Sequence, residues 1–397
     1  MRTNFKSLLL AGILISVTFG CSIKWTDAIS YGNVVTKEFK ESVDIEIHSK
    51  LIIVPVTIDG KEYRFLFDTG APFSISHKLL REHNFKIISK GNIVDSDHNR
   101  TKVNWAQVDS ILIGNVTFQG QTAFVGDFAA NPIITCLDID GIIGSNLIRH
   151  SNWTIDQEQR TLSLFSSIKK EDFEECITVP FKTDYQYNMF VDIDFGPSRV
   201  KNILVDYGSN GSVALSNDIF TTLKNRNVFE TKFLETGIKQ SGMLGSPVDL
   251  RRELTYSDAV KINELELKNV LINTGETTST GNQFLSRFKV TIDWTNKNLY
   301  LTKPEKEIER NGLLGFRLGT SEETGIYILS VIEESNAYKH GVRPNMKVLK
   351  IDSLDFENGN GFCDYVNYNP GNEIFIQLLD SLGKKRDAHF KRTYPKN

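Results

Sequence analysis

Two aspartates in this chain stand in nearly the same surroundings. Phe65-Leu66-Phe67-Asp68-Thr69-Gly70-Ala71 is an apolar run ending in Asp-x-Gly-small, and Ile203-Leu204-Val205-Asp206-Tyr207-Gly208-Ser209 is another. Two carboxylates within hydrogen-bonding distance cannot both ionise cheaply, because like charges repel in a low-dielectric cleft, so the pair holds one proton over a wide pH range. The ionised member takes a proton from a water between them while the protonated member hydrogen-bonds a carbonyl under attack. That chemistry needs no covalent intermediate, no metal and no nucleotide. The competing reading is that both aspartates make ordinary turns before glycine.

The elements around them repeat. Gly144 is followed by Asp156 and Gly281 by Asp293, each 12 residues on; Asp68 precedes Asp156 by 88 residues and Asp206 precedes Asp293 by 87. Each copy opens with an alternating apolar pattern, Ile53-Val54-Pro55-Val56-Thr57-Ile58 and Phe190-Val191-Asp192-Ile193-Asp194-Phe195, followed by turn residues (Asp59-Gly60, Gly196-Pro197) and the Asp-bearing strand. The expectation is a mostly β chain with two similar lobes, residues 45–166 and 177–303. Facing each other about a pseudo-two-fold axis, they would bring Asp68 and Asp206 together. A short helix is expected after each loop, at residues 77–83 and 217–224.

The motif Phe67-Asp68-Thr69-Gly70-Ala71, with the later Asp140-Gly141-Ile142-Ile143-Gly144, resembles the retropepsin-like aspartic proteases, whose motifs are Asp-Thr/Ser-Gly and apolar-apolar-Gly. The resemblance implies two β-barrel lobes, Asp68 and Asp206 as catalytic residues, and Thr69, Gly70 and Gly208 holding the loops. It also implies that Ile142, Ile143 and Gly144 form the strand beneath the first loop. Cleft-covering hairpins would fall at residues 90–104 and 237–245. The second copy departs from the pattern: Tyr207 carries its hydroxyl too far out to replace threonine, and Thr277-Thr278-Ser279-Thr280 stands where the apolar pair belongs, a poor fit under a buried loop. Two readings therefore stay open. One is an aspartic endopeptidase acting on peptides or unfolded protein; the other is a peptide-binding or scaffold protein that keeps the fold without the chemistry. Other hydrolase classes lack support, since Gly208-Ser209-Asn210-Gly211 is not a nucleophile elbow and no lysine-bearing phosphate loop is present.

After a charged linker, residues 304–311, the segment 312–393 resembles a PDZ domain. The likeness rests on Gly312-Leu313-Leu314-Gly315-Phe316, on Ala337-Tyr338-Lys339-His340-Gly341-Val342 and on Val348-Leu349-Lys350-Ile351-Asp352. It implies an α+β unit that binds an extended peptide by strand addition, with Leu314, Gly315 and Phe316 in the loop receiving the peptide terminus. The alternative is a packing module that orients the lobes.

The N-terminus differs from the rest. Arg2 and Lys6 precede an apolar run from Leu8 to Phe19 that is too short for a comfortable membrane span, and Gly20-Cys21 follows. Residues 1–21 read as an export signal whose end resembles a lipobox. Cys21 is the expected lipidation site, and a periplasmic or cell-envelope, membrane-anchored location follows. An ordinary cleaved signal is the alternative. The remaining cysteines, Cys136, Cys176 and Cys363, are odd in number and far apart, so they are expected to be unpaired core residues. The histidines show no metal spacing with them, and no metal or cofactor is expected. At 397 residues the chain should hold two or three domains. With 40% hydrophobic residues, 24% charged and a net charge of -3, it is neither disordered nor a nucleic-acid binder by composition.

Overall fold

A computed structural model describes residues 23–303, 312–380 and 382–394. Residues 1–21, read above as an export signal ending at Cys21, and the linker 304–311 lie outside the described residues. The described chain is mostly β.

In the first half, β1 (Leu51–Ile58) and β2 (Lys61–Phe67) form a hairpin whose two turn residues, Asp59 and Gly60, both take positive φ. That is the twist-matched turn for a tight hairpin, and Asp-Gly tolerates it best. The chain continues through β3 (Ser74–Ser76) and α1 (His77–Glu82), where the Ser76 hydroxyl accepts the Leu79 N–H at 3.2 Å as an N-cap. Next come β4 (Lys86–Val94), β5 (Arg100–Ile113), β6 (Val116–Gly126), α2 (Pro132–Leu137) and β7 (Gly141–Ile143). β7 runs parallel to β2 and antiparallel to β3, while β3 is parallel to β6. The half closes with the hairpin β8 (Asn152–Asp156) and β9 (Thr161–Phe165).

The second half repeats these pairings. β10 (Met189–Phe195) and β11 (Ser198–Val205) form a hairpin, followed by β12 (Val213–Ser216), α3 (Asn217–Asn225), β13 (Phe233–Lys239), β14 (Val248–Ser257), β15 (Val270–Gly275) and the two-residue β16 (Ser279–Thr280). β16 runs parallel to β11 and antiparallel to β12, and β12 is parallel to β15. The closing hairpin is β17 (Lys289–Asp293) with β18 (Asn298–Thr302). The hairpins expected at residues 90–104 and 237–245 are thus β4–β5 and β13–β14.

The halves share a six-stranded sheet at whose centre β8 pairs with β17. Thr154 and Thr291 face each other there, their hydroxyls 2.7 Å apart in a buried hydrogen bond. One hydrophobic core runs through both halves and includes Phe67, Trp153, Val205, Tyr207 and Ile292. Burial of this shared apolar surface is the main force holding them together.

A C-terminal unit follows: β19 (Phe316–Ser321), β20 (Gly325–Ile332), β21 (Lys347–Ile351), α4 (Phe362–Asn367), β22 (Glu373–Leu379) and β23 (Lys385–Lys391), with a core of its own. It is fastened to the rest at two places. β20 extends past β21 to pair antiparallel with β13, joining the unit to the second hairpin. At the other place the cysteine expectation is corrected: Cys136 of α2 and Cys363 of α4 form a disulfide with Cα atoms 4.9 Å apart. The error came from judging pairing by sequence distance. Packing of α2 on α4, supported by hydrogen bonds from Ser49 Oγ to the Val366 carbonyl (2.7 Å) and between His48 Nδ1 and Asn367 Oδ1 (3.0 Å), brings together sulfurs 227 residues apart in sequence. Cys176 remains a free thiol.

Candidate active site

Each aspartate ends a central strand and hangs in a loop supported from below. The Asp68 N–H donates to the Ile143 carbonyl at 3.0 Å, so β7 supports the first loop; the Asp206 N–H donates to the Thr280 carbonyl at 2.9 Å, so β16 does the same for the second. The polar stretch preceding Gly281 fits under its loop because its hydroxyls find local partners. Thr278 Oγ1 accepts the Ser216 N–H at 3.0 Å, and Thr280 Oγ1 donates to the Leu204 carbonyl at 3.4 Å. The poor fit expected from composition is resolved by hydrogen bonding.

Within each loop the glycine two residues on donates its N–H back to the carboxylate, Gly70 to Asp68 Oδ1 at 2.8 Å and Gly208 to Asp206 Oδ1 at 2.9 Å. Glycine is required here for space. A Cβ at Gly208 would lie 2.2 Å from the Asp68 carboxyl carbon, and one at Gly70 would lie 2.9 Å from Asp206 Oδ1. Gly144, beneath the first loop, is equally confined, since a Cβ there would sit 2.1 Å from the backbone of Phe73. Each carboxyl consequently lies against the glycine of the opposite loop, which brings the two together.

Their electrostatics are asymmetric. Burial pushes the Asp68 carboxyl above the usual range, opposed by the N–H groups of Gly70, Ala71 and Gly208 and by the Asp206 hydrogen bond. Burial also raises Asp206, and the Asp68 charge raises it further. Both carboxyls are therefore raised, and a charge on one favours a proton on the other, so the pair holds one proton between them over a wide pH range. Both residues keep partial exposure, which a water between them needs.

Thr69 ties the loops together from one side only. Its hydroxyl donates to the Val205 carbonyl at 2.5 Å and accepts the Tyr207 N–H at 3.1 Å. Tyr207 makes no reciprocal contact, as its size led us to expect. Its ring is fully buried in the shared core, edge-on to Phe67 with centroids 5.6 Å apart, and its hydroxyl has no hydrogen-bond partner among the described residues. The ring thus fills space in the shared core beside Phe67 and is not part of the cleft surface.

Sequence reasoning missed two asparagines that brace the loops. Asn146 accepts the Phe73 N–H at 2.6 Å and donates to the Thr122 carbonyl at 2.9 Å; Asn282 donates to the Tyr207 carbonyl at 2.6 Å. Their nearness to the paired Gly144 and Gly281 was the available signal. Leu314, Gly315 and Phe316 are not brought to the aspartates: Leu314 and Phe316 pack in the separate C-terminal core, and Gly315, at φ +94°, lies against Ser335 with its carbonyl accepting the Ile332 N–H at 2.8 Å.

Residues 54–147 match a family model described as aspartyl protease. The matched stretch contains Asp68, Thr69, Gly70 and the whole of β7, and it supports a protease-like function at a coarse level. No curated protein matches the chain significantly.

Proposed function

We propose that this chain is an aspartic-type endopeptidase in which a water is activated between Asp68 and Asp206. The observation that carries the reading is the meeting of the two carboxyls, each at the end of a central strand and each receiving a glycine N–H. Asp68, as the anion, takes the water proton. Asp206, holding the shared proton, donates to the scissile carbonyl and polarises it toward attack. The repeated strand pairings support two retropepsin-like lobes related by a pseudo-two-fold axis between β8 and β17. We read the C-terminal α+β unit as PDZ-like, with Leu314, Gly315 and Phe316 forming the loop for a substrate or partner peptide. A disulfide persists in oxidising compartments. The one between Cys136 and Cys363 thus supports export to an oxidising compartment; anchoring in the cell envelope through Cys21 completes the proposal and rests on the sequence alone.

A second reading, a peptide-binding protein without catalysis, draws on one observation: Tyr207 leaves the loops tied from one side only. A degenerate peptide library, incubated between about pH 3 and 7 with the protein lacking residues 1–21, separates the two. Cleavage by the wild type that is lost in both Asp68→Asn and Asp206→Asn supports the endopeptidase. A folded wild type that cleaves nothing supports the binder.

A further inference from the structure

The second hairpin, β13–β14, is held at both ends, and the two holds come from different parts of the molecule. At its base, Glu235 is buried with its carboxylate receiving four donors. Arg252 of β14 supplies Nε at 2.7 Å and a terminal nitrogen at 2.6 Å, while the C-terminal unit supplies Ser330 Oγ at 2.6 Å and Arg317 Nε at 3.1 Å. Burial alone would raise this carboxyl, but Arg317, Arg252 and Ser330 hold it down to about 2, so it is an anion throughout the working range. The backbones meet beside it, with Glu235, Thr236 and Gly237 opposite Ile332, Val331 and Ser330. Only glycine permits that approach at 237, where φ is +136° and a Cβ would sit 2.4 Å from the Leu329 carbonyl oxygen.

At the tip, the turn of the first hairpin reaches across. Asp97, buried, accepts the N–H groups of Ser241 (2.8 Å) and Gly242 (2.6 Å) and the Ser241 hydroxyl (3.0 Å), and pairs with Lys239 at 2.6 Å. Asp95 accepts the Leu244 N–H at 3.0 Å, and Asn131 donates to the Gly242 carbonyl at 2.8 Å. Between these contacts, Met243 packs on two apolar clusters. One contains Leu66 and Ile142, which flank the Asp68 loop; the other contains Trp105 and Phe124 of the first half. The second hairpin therefore spans from the C-terminal unit to the wall beside Asp68.

We propose that the C-terminal unit is a working part of the cleft: through β20 and the Glu235 cluster it anchors the hairpin that the Asp95 and Asp97 contacts close over the aspartates, making Glu235 and Arg317 positioning residues for substrate entry. A free C-terminal domain on a linker would leave the hairpin base to pair with solvent. If the unit moved away, Glu235 would keep Arg252 but lose Arg317 and Ser330, and the strand pairing beside it would break, so unit and hairpin are expected to move together. Substrate then enters by release at the tip, with the base acting as the fixed end.

The test is Arg317→Met in the otherwise full mature chain, with Arg317→Lys beside it. Arg317 is more than half exposed, so its loss should leave the fold intact. Hydrogen exchange read by mass spectrometry is expected to speed up about ten-fold or more in residues 233–257 and 95–99, with β8 and β17 unchanged. Arg317→Lys should recover part of the protection. The kinetic arm alone rests on the endopeptidase reading: KM for a library-derived peptide should change several-fold with kcat held within about two-fold. If the wild type cleaves nothing, the exchange arm still decides. Faster exchange confined to the C-terminal unit, a uniform increase across the molecule, or no change in the hairpin would each overturn the proposal.

Discussion

Replacing Asp206 by asparagine tests whether the two carboxyls share a proton, without any need for catalysis. The asparagine oxygen can keep the Gly208 N–H, and its amide stands where a protonated oxygen would donate to Asp68. Both carboxyls are raised above their ordinary value of 3.8, Asp206 by burial and then by the charge on Asp68. A carboxyl raised in the folded state contributes stability that is complete below its unfolded pKa and lost as pH rises through its folded pKa. Two unit charges about 4 Å apart, at an effective dielectric of about 20, repel by about 4 kcal/mol, which holds the second proton for roughly three pH units beyond an isolated carboxyl. Between the ordinary value and that point only the folded state keeps the proton, so the wild type loses about 1.4 kcal/mol per pH unit there and no more above it, whereas Asp206→Asn has no such proton to lose. Thermal melting should show the variant gaining on the wild type between about pH 4 and 7, with the gap levelling off above that. Asp68→Asn should behave alike. A gap that stays constant with pH, or a wild type that gains on the variant as pH rises, would refute the shared proton.

Tyr207→Phe should leave the protein as stable or up to about 1 kcal/mol more stable by urea unfolding, because the deleted hydroxyl is buried without a partner among the described residues. Tyr207→Thr, which would seem to complete the tie begun by Thr69, should instead cost about 3 kcal/mol or more by emptying space beside Phe67. Reduction, or the double change Cys136→Ser and Cys363→Ser, should lower the melting temperature: closing a loop across 227 residues restricts the unfolded chain by about 5 kcal/mol. A non-reducing peptide map should show the Cys136 and Cys363 peptides joined and Cys176 free to alkylate.

The elements around the aspartates were legible because their signals are local. Period-two alternation marked β1 and β10, Asp59-Gly60 marked a hairpin turn, and α1 and α3 begin within the windows expected for them. Matched spacing of Asp68 with Asp156 and Asp206 with Asp293 indicated that the two loops occupy equivalent places. Side-chain length also warned that Tyr207 could not act as a threonine, and its hydroxyl has no partner among the described residues. Other features depended on which distant surfaces the fold brings together. The direction of the Tyr207 ring is set by the core it fills, and the tolerance of Thr278 and Thr280 by carbonyls and N–H groups supplied from β11 and β12. Cys136 with Cys363, Asp97 with Ser241 and Gly242, and Glu235 with Arg317 and Ser330 are partnerships across long stretches of chain. A sequence states the donors and acceptors it contains. Which of them lose water together, and must therefore satisfy one another, is decided only when the halves and the C-terminal unit pack.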